Sequence, residues 1–171
     1  MRLPRIGITV GDPAGIGPEI AAKAAADARV RAACEPVLYG PPAGAVFRMG
    51  TPSADSGGAA YDAIARAAAD AQAGRLSALA TAPISKEALA MAGLSWRGHT
   101  ELLAHLTGAR SVAMMFFSEA VRVVLATVHV PLADVPRLLT RETLESVIRL
   151  AARELPRFGF STPRLGVAGL N

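Results

Sequence analysis

A single cysteine, Cys34, occurs in the 171 residues. No intramolecular disulfide can form, and no second Cys or His lies beside it at metal-ligand spacing; it reads as a small buried hydrophobe. Aromatics are scarce at 5%, with one Trp, two Tyr and five Phe, and they build no nucleic-acid recognition motif. Lysine is nearly missing: of 18 basic residues only Lys23 and Lys86 are lysines. The arginines are scattered and mostly alternate with Asp or Glu, so the net charge of +4 gathers into no basic stripe and nucleic acid is not an expected partner. No uncharged run exceeds about a dozen residues, short of the ~18 that a membrane span needs, so no membrane partner is expected either. Met-Arg-Leu-Pro-Arg leads straight into a β-branched run, with no apolar signal core, and a cytoplasmic location is expected.

What is present suits one globular core. Hydrophobic residues make up 51% of the chain against 19% charged, and the length matches one ordinary domain, so residues 1–171 are expected to form a single α/β unit. Arg5 to Val10 reads as a strand that feeds the turn-rich Gly11 to Glu19, after which Pro18 and Glu19 suit the start of a helix carrying the alanine-rich pattern of Ile20 to Val30. Pro36 to Tyr39 reads as a second strand, and the Pro/Gly-rich stretch from Gly40 to Gly58 as a loop. A helix is expected over Ala59 to Ala73, a strand over Leu76 to Ala82, and a short helix capped by Ser85 and closed by Gly93. Thr100 can cap a helix over Glu101 to Thr107. The apolar runs Val112 to Phe117 and Val121 to Val130 read as adjacent strands, possible partners in a hairpin, and Thr140 caps the clearest helix, with Leu144, Val147, Ile148, Ala151 and Leu155 on one face. Pro163 to Val167 looks like a last strand. Strands alternating with helices predict an α/β fold, a mixed sheet flanked by helices.

Three places carry chemistry. The Gly11 to Glu19 junction points backbone N–H groups and a helix dipole at one spot, which suits a phosphate or other anion. Its glycines, Gly11, Gly15 and Gly17, match neither the dinucleotide fingerprint nor the P-loop, and a tight structural turn is the other reading. Asp12 adds a carboxylate at the strand end. His99 and Thr100 are a donor pair at a helix start, suited to an anionic oxygen, or else a solvated capping box. His129 ends an apolar run just before Pro131, where active-site residues of α/β sheets project, although a lone His is more often a satisfied core residue. His105 reads as surface or packing and Lys86 as a solvated helix residue. Ser85 and Ser118 have no His and acid partners, so no hydrolase triad is argued.

Taken together, GDPAGIGPE (11–19), PSADSGGAAYDAI (52–64), TAPISKEAL (81–89), GHTELLAHLTG (98–108), VRVVLATVHVPL (121–132) and PRLGVAGLN (163–171) resemble the 4-hydroxythreonine-4-phosphate dehydrogenase family of vitamin B6 biosynthesis. The first motif is also similar to the glycine loop of isocitrate and isopropylmalate dehydrogenases, so the resemblance implies part of that fold. It further implies NAD- or NADP-dependent oxidation and decarboxylation of a small phosphorylated substrate, 4-(phosphooxy)-threonine or a related hydroxy acid. A divalent metal (Zn, Mg or Co) would grip that substrate, and the subunit would be a homodimer. On that resemblance Gly11, Asp12, Gly15 and Gly17 would bind cofactor, His99 and Thr100 would contact substrate, and His129 would be one of three histidine metal ligands. A Lewis acid on the substrate hydroxyl would ease its deprotonation as hydride leaves and stabilise the enolate formed on decarboxylation.

The resemblance covers roughly the N-terminal half of a family subunit, and family members carry a longer insertion where residues 41–52 form a short bridge. The segments that hold the other two metal histidines in the family follow GLN and so lie beyond Asn171, which leaves the ligand set incomplete. Two readings follow: part of a metal- and NAD(P)-dependent oxidoreductase, or a non-catalytic remnant acting as an anion-binding or self-associating module.

Overall fold

Ile6 and Ile8 alternate with Gly7 and Thr9 along Arg5–Thr9 (β1), the central strand of a three-stranded parallel sheet ordered β2-β1-β3. The computed structural model describes residues 3–169, which fall into two units divided between Ala109 and Arg110.

In the first unit β1 leads through Gly17–Ala26 (α1) and Ala28–Ala33 (α2) to Glu35–Tyr39 (β2), then through Ala54–Gln72 (α3) to Ala78–Thr81 (β3). The register pairs Gly7 with Val37 on one side and with Leu79 on the other. The crossover from β1 to β2 and the one from β2 back past β1 to β3 run in opposite directions while keeping one hand, so α1 and α3 cover opposite faces of the sheet. On the α1 face Ile8 and Val10 meet Ala21 and Ala25. On the α3 face Tyr39 and Leu76 meet Ala63 and Ala67, with Val37, Leu79 and Ala71 around them. The thin alanine side chains let each helix lie close to the sheet. Lys86–Met91 (α4) and His99–Thr107 (α5) complete the unit, and α3 packs against both. Gly57 is the contact point with α4, since a Cβ there would lie 2.0 Å from the Ala88 carbonyl oxygen.

The second unit holds a ribbon of Met115–Phe117 (β4) antiparallel to Arg122–Val124 (β5), then Val135–Leu138 (α6) and Arg141–Glu154 (α7), each flanked by a short 3-10 turn. The Ser118 hydroxyl accepts the Val121 N–H at 3.0 Å and closes the hairpin. The Arg122 guanidinium lies over the rings of Phe117 and Phe160, at 5.0 and 4.5 Å. Leu144, Val147, Ile148 and Ala151 on α7, with Leu155 at the start of the 3-10 turn that follows, form the inward stripe that their spacing predicts, and Ala151 and Leu155 are buried.

Several boundaries differ from expectation. Helix α3 begins at Ala54 because Ser53 and Ser56 form a reciprocal capping box, the Ser53 hydroxyl accepting the Ser56 N–H at 3.1 Å. The alanine-rich run breaks in two where Asp27 caps α2. Helix α5 starts at His99 with Gly98 as its N-cap, so Thr100 lies inside the first turn and does not cap it. The two apolar runs around the hairpin pair over only three residues each, and residues 163–167 form no strand. Apolarity reports a tendency to be buried, whereas a strand also needs a neighbour to complete its ladder. Both parallel and antiparallel pairings occur, in two separate sheets. Cys34 is half-buried. No helix of the described residues is long and apolar enough to cross a membrane.

Leu89 is fully buried, so Leu89→Ala should cost about 2–5 kcal/mol in urea denaturation. Val46→Ala, at a residue 91% exposed, should stay within about 0.5 kcal/mol.

Candidate functional site

The sheet order places β1 between strands reached by crossovers on opposite faces, and the crevice beyond the carboxyl ends of such strands is where open α/β sheets bind ligands. Gly11 to Gly17 occupies that crevice. Gly11 has φ 67°, and a Cβ there would lie 2.0 Å from the Pro83 carbonyl oxygen at the end of β3. The Asp12 N–H donates to the same oxygen at 2.9 Å. Gly17 is tighter still, its would-be Cβ 1.9 Å from the Val10 carbonyl oxygen, whereas Gly15 has nothing closer than 3.5 Å. Backbone packing therefore requires glycine at 11 and 17 and leaves Gly15 unconstrained. The Asp12 carboxylate is buried and accepts the Ala14 N–H at 2.9 Å, while the Asp12 carbonyl accepts the Gly15 N–H at 3.0 Å. This turn aims α1 with its amino end open.

That open end distinguishes two helices from the rest. Side chains cap α2 (Asp27), α3 (Ser53), α4 (Ser85) and α7 (Thr140). Among helices longer than four residues, α1 and α5 alone have no side-chain cap. In α1 Pro18 carries no N–H, which leaves the Gly17 and Glu19 amides of the first turn to water or a ligand. Beside this loop the Thr9 hydroxyl is fully buried without a hydrogen-bond partner. Sequence reading missed Thr9, and its one available signal was a hydroxyl at the end of a β-branched run that enters a glycine loop.

At α5 the Gly98 N-cap is extended, and His99 and Thr100 are the first two helical residues, both half-buried. The Nε2 atom of His99 is buried with no partner. Burial holds the imidazole below its ordinary pKa, so it is neutral near pH 7. A neutral ring nitrogen at an uncapped helix start can exchange one hydrogen bond with a ligand, and the adjacent dipole favours an anion there. His99, Thr100 and the glycine loop belong to one unit, and no hydrogen bond among the described residues joins them.

His129 belongs to the second unit, exposed on a bend beyond β5 and outside any strand. It is the one described non-glycine residue with positive φ, at 54°. No group of three His, Cys, Asp or Glu side chains placed to share a metal ion occurs among the described residues, so the residues present do not make a metal centre around His129. Ser85 is occupied as the α4 cap and Lys86 is exposed at the start of that helix. His105 is exposed and stacks against Trp96, ring centroids 4.8 Å apart.

The sequence profile described as "Pyridoxal phosphate biosynthetic protein PdxA" matches residues 16–171. The 4-hydroxythreonine-4-phosphate dehydrogenase of Geobacter metallireducens is 40% identical over 208 residues, covering 98% of this chain and 61% of the relative. The D-threonate 4-phosphate dehydrogenase of Pectobacterium atrosepticum is 36% identical, with 97% and 63% covered. A crystal structure of a 4-hydroxythreonine-4-phosphate dehydrogenase from Burkholderia phymatum superposes with a TM-score of 0.90 at 34% identity, over 100% of this chain and 64% of its own. A terephthalate 1,2-cis-dihydrodiol dehydrogenase from Burkholderia xenovorans LB400 gives 0.67 at 29% identity, over 95% and 60%. The chain thus spans about three fifths of the curated relatives' length. The 208 aligned positions exceed its 171 residues, so the relatives carry insertions within the matched part. The α/β class and the resemblance to part of the isocitrate and isopropylmalate dehydrogenase fold agree with these superpositions.

The sign of the His99 shift carries a pH dependence. Unfolded imidazole protonates below about pH 6.5, while the buried native ring resists protonation. The unfolded state therefore binds more protons as pH falls, and stability should decline below that point. Urea midpoints measured between about pH 7 and about pH 5 should fall with acidity, and His99→Gln should flatten the slope; an unchanged slope would refute the assignment.

Proposed function

The chain belongs to the PdxA family of pyridoxal phosphate biosynthetic proteins, and from that premise we propose that it forms the substrate-gripping, cofactor-facing part of an NAD(P)-dependent oxidoreductase of vitamin B6 biosynthesis. The reaction is oxidation and decarboxylation of 4-(phosphooxy)-threonine or a related phosphorylated hydroxy acid. The names of the relatives, 4-hydroxythreonine-4-phosphate and D-threonate 4-phosphate dehydrogenases, denote substrates that share a phosphate and a hydroxylated carbon chain. His99 and Thr100 hold an anionic or hydroxyl oxygen of such a substrate. Gly11, Asp12, Gly15 and Gly17 shape the cofactor crevice, where the open amides of α1 suit a phosphate-bearing group. A bound nicotinamide supplies the hydride acceptor. The observation that carries the reading is the buried, unpartnered Nε2 of His99 at an uncapped helix start.

A divalent metal fits less well. His129 is one imidazole, and a catalytic zinc site takes about three protein ligands; the metal reading of His129 needs ligands from outside the described residues. A second reading, a self-associating module that pairs as a homodimer, draws support from Phe116, Phe117 and Val121, each about 60% exposed. A cytoplasmic setting belongs to either reading.

Calorimetry with D-threonate 4-phosphate should show binding that weakens at least about tenfold in His99→Ala, the size of a lost hydrogen bond to a charged group. Equal affinities would dismiss His99 as a substrate contact. Zn²⁺ titrated into the chain should bind no better than to a lone imidazole, with little change in His129→Ala. Micromolar binding that the variant loses would instead show that His129 sits in an assembled site.

A further inference from the structure

We propose that Trp96 is a positioning residue, whose stack on His105 clasps residues 94–98 against α5 and fixes where the first turn presents His99. The proposal rests on the reading of His99 given above. Little else restrains this entry. The N-cap is Gly98, extended and without a side-chain bond, and Ser95 and Arg97 on either side of Trp96 are exposed. The hydrogen bonds bracketing the segment are Leu94 N–H to the Leu89 carbonyl at 2.9 Å and a longer one from Leu102 N–H to the Gly98 carbonyl at 3.3 Å. Between them the indole of the chain's single Trp lies against the His105 imidazole, centroids 4.8 Å apart and planes tilted by 39°. That spacing is typical of a favourable ring pair. His105 comes six residues after His99, round the helix from it, so the clasp steadies the first turn without occupying the position a ligand of His99 would take. A ring pair of this kind shifts a local opening equilibrium by about two- to tenfold, enough to matter for a turn with no cap.

The test compares the full chain with Trp96→Ala, Trp96→Phe, His105→Ala and the Trp96→Ala/His105→Ala double variant. Amide hydrogen exchange is read residue by residue, and inorganic phosphate is titrated while the His99 ring is followed by NMR. Exchange at Leu102, whose N–H closes the first turn on the Gly98 carbonyl, should quicken about two- to tenfold in each single alanine variant and no further in the double, as one shared contact requires. Trp96→Phe should restore the native rate, and phosphate affinity at His99 should fall in step with exchange. Unchanged exchange in Trp96→Ala would overturn the proposal, and so would an equal rise across the whole of residues 1–109, which marks a merely structural role. If phosphate fails to bind the native chain while the local exchange pattern holds, the functional reading of His99 fails and the positioning by Trp96 is upheld.

Discussion

The approach of Gly17 to the Val10 carbonyl oxygen governs how the first unit is put together. At that distance no side chain fits, and the same loop is held against the end of β3 by Gly11 and by the Asp12 N–H bond to Pro83. Three backbone contacts thus tie the end of β1, the end of β3 and the start of α1 into one knot, while Asp12 spends its carboxylate on the inner turn. With the loop so tight, α1 starts close behind the end of β1, and no side chain caps its first-turn amides. The feature that shapes the fold is also the one that leaves donors available.

The contrast in capping extends this point. Four helices end their amino termini on their own Asp, Ser or Thr, each worth about 1 kcal/mol to the helix, and each cap takes up a first-turn amide. Helices α1 and α5 forgo that stabilisation. Both lie in the motifs through which the chain resembles dehydrogenases acting on phosphorylated hydroxy acids, and α5 adds an imidazole nitrogen buried without a partner. An unsatisfied buried polar atom costs stability, and under the function proposed above a ligand at His99 would recover that cost.

The second unit is built differently. Its described buried hydrophobics are Ala151 and Leu155, while Phe116, Phe117, Val121 and Phe158 remain largely exposed, and a two-stranded ribbon is marginal by itself. The Arg122 clamp over Phe117 and Phe160 is a local contact that cannot replace a core. His129 lies in this thinner part, on an exposed bend and at a positive φ that few non-glycine residues adopt.

Local chemistry made much of this legible from residues alone. The β-branched run of β1, the Ser85 and Thr140 caps, the stripe on α7 and the glycine loop before α1 depend on neighbours within a few positions, so the chain itself determined them. The α/β class followed from their order, and the motifs were specific enough to indicate the family. Other features depended on groups distant in the chain. Whether 163–167 becomes a strand turns on a neighbouring ladder, and whether Gly98 or Thr100 begins α5 turns on the path of the preceding loop. That glycine is required at 11 and 17 but not at 15 turns on where the Pro83 and Val10 carbonyls come to lie. The same holds for the unpartnered Thr9 hydroxyl and for the Trp96 stack on His105. Spacing along a chain records what a residue can offer, and only the fold decides which offers are answered within the protein and which stay open for a ligand.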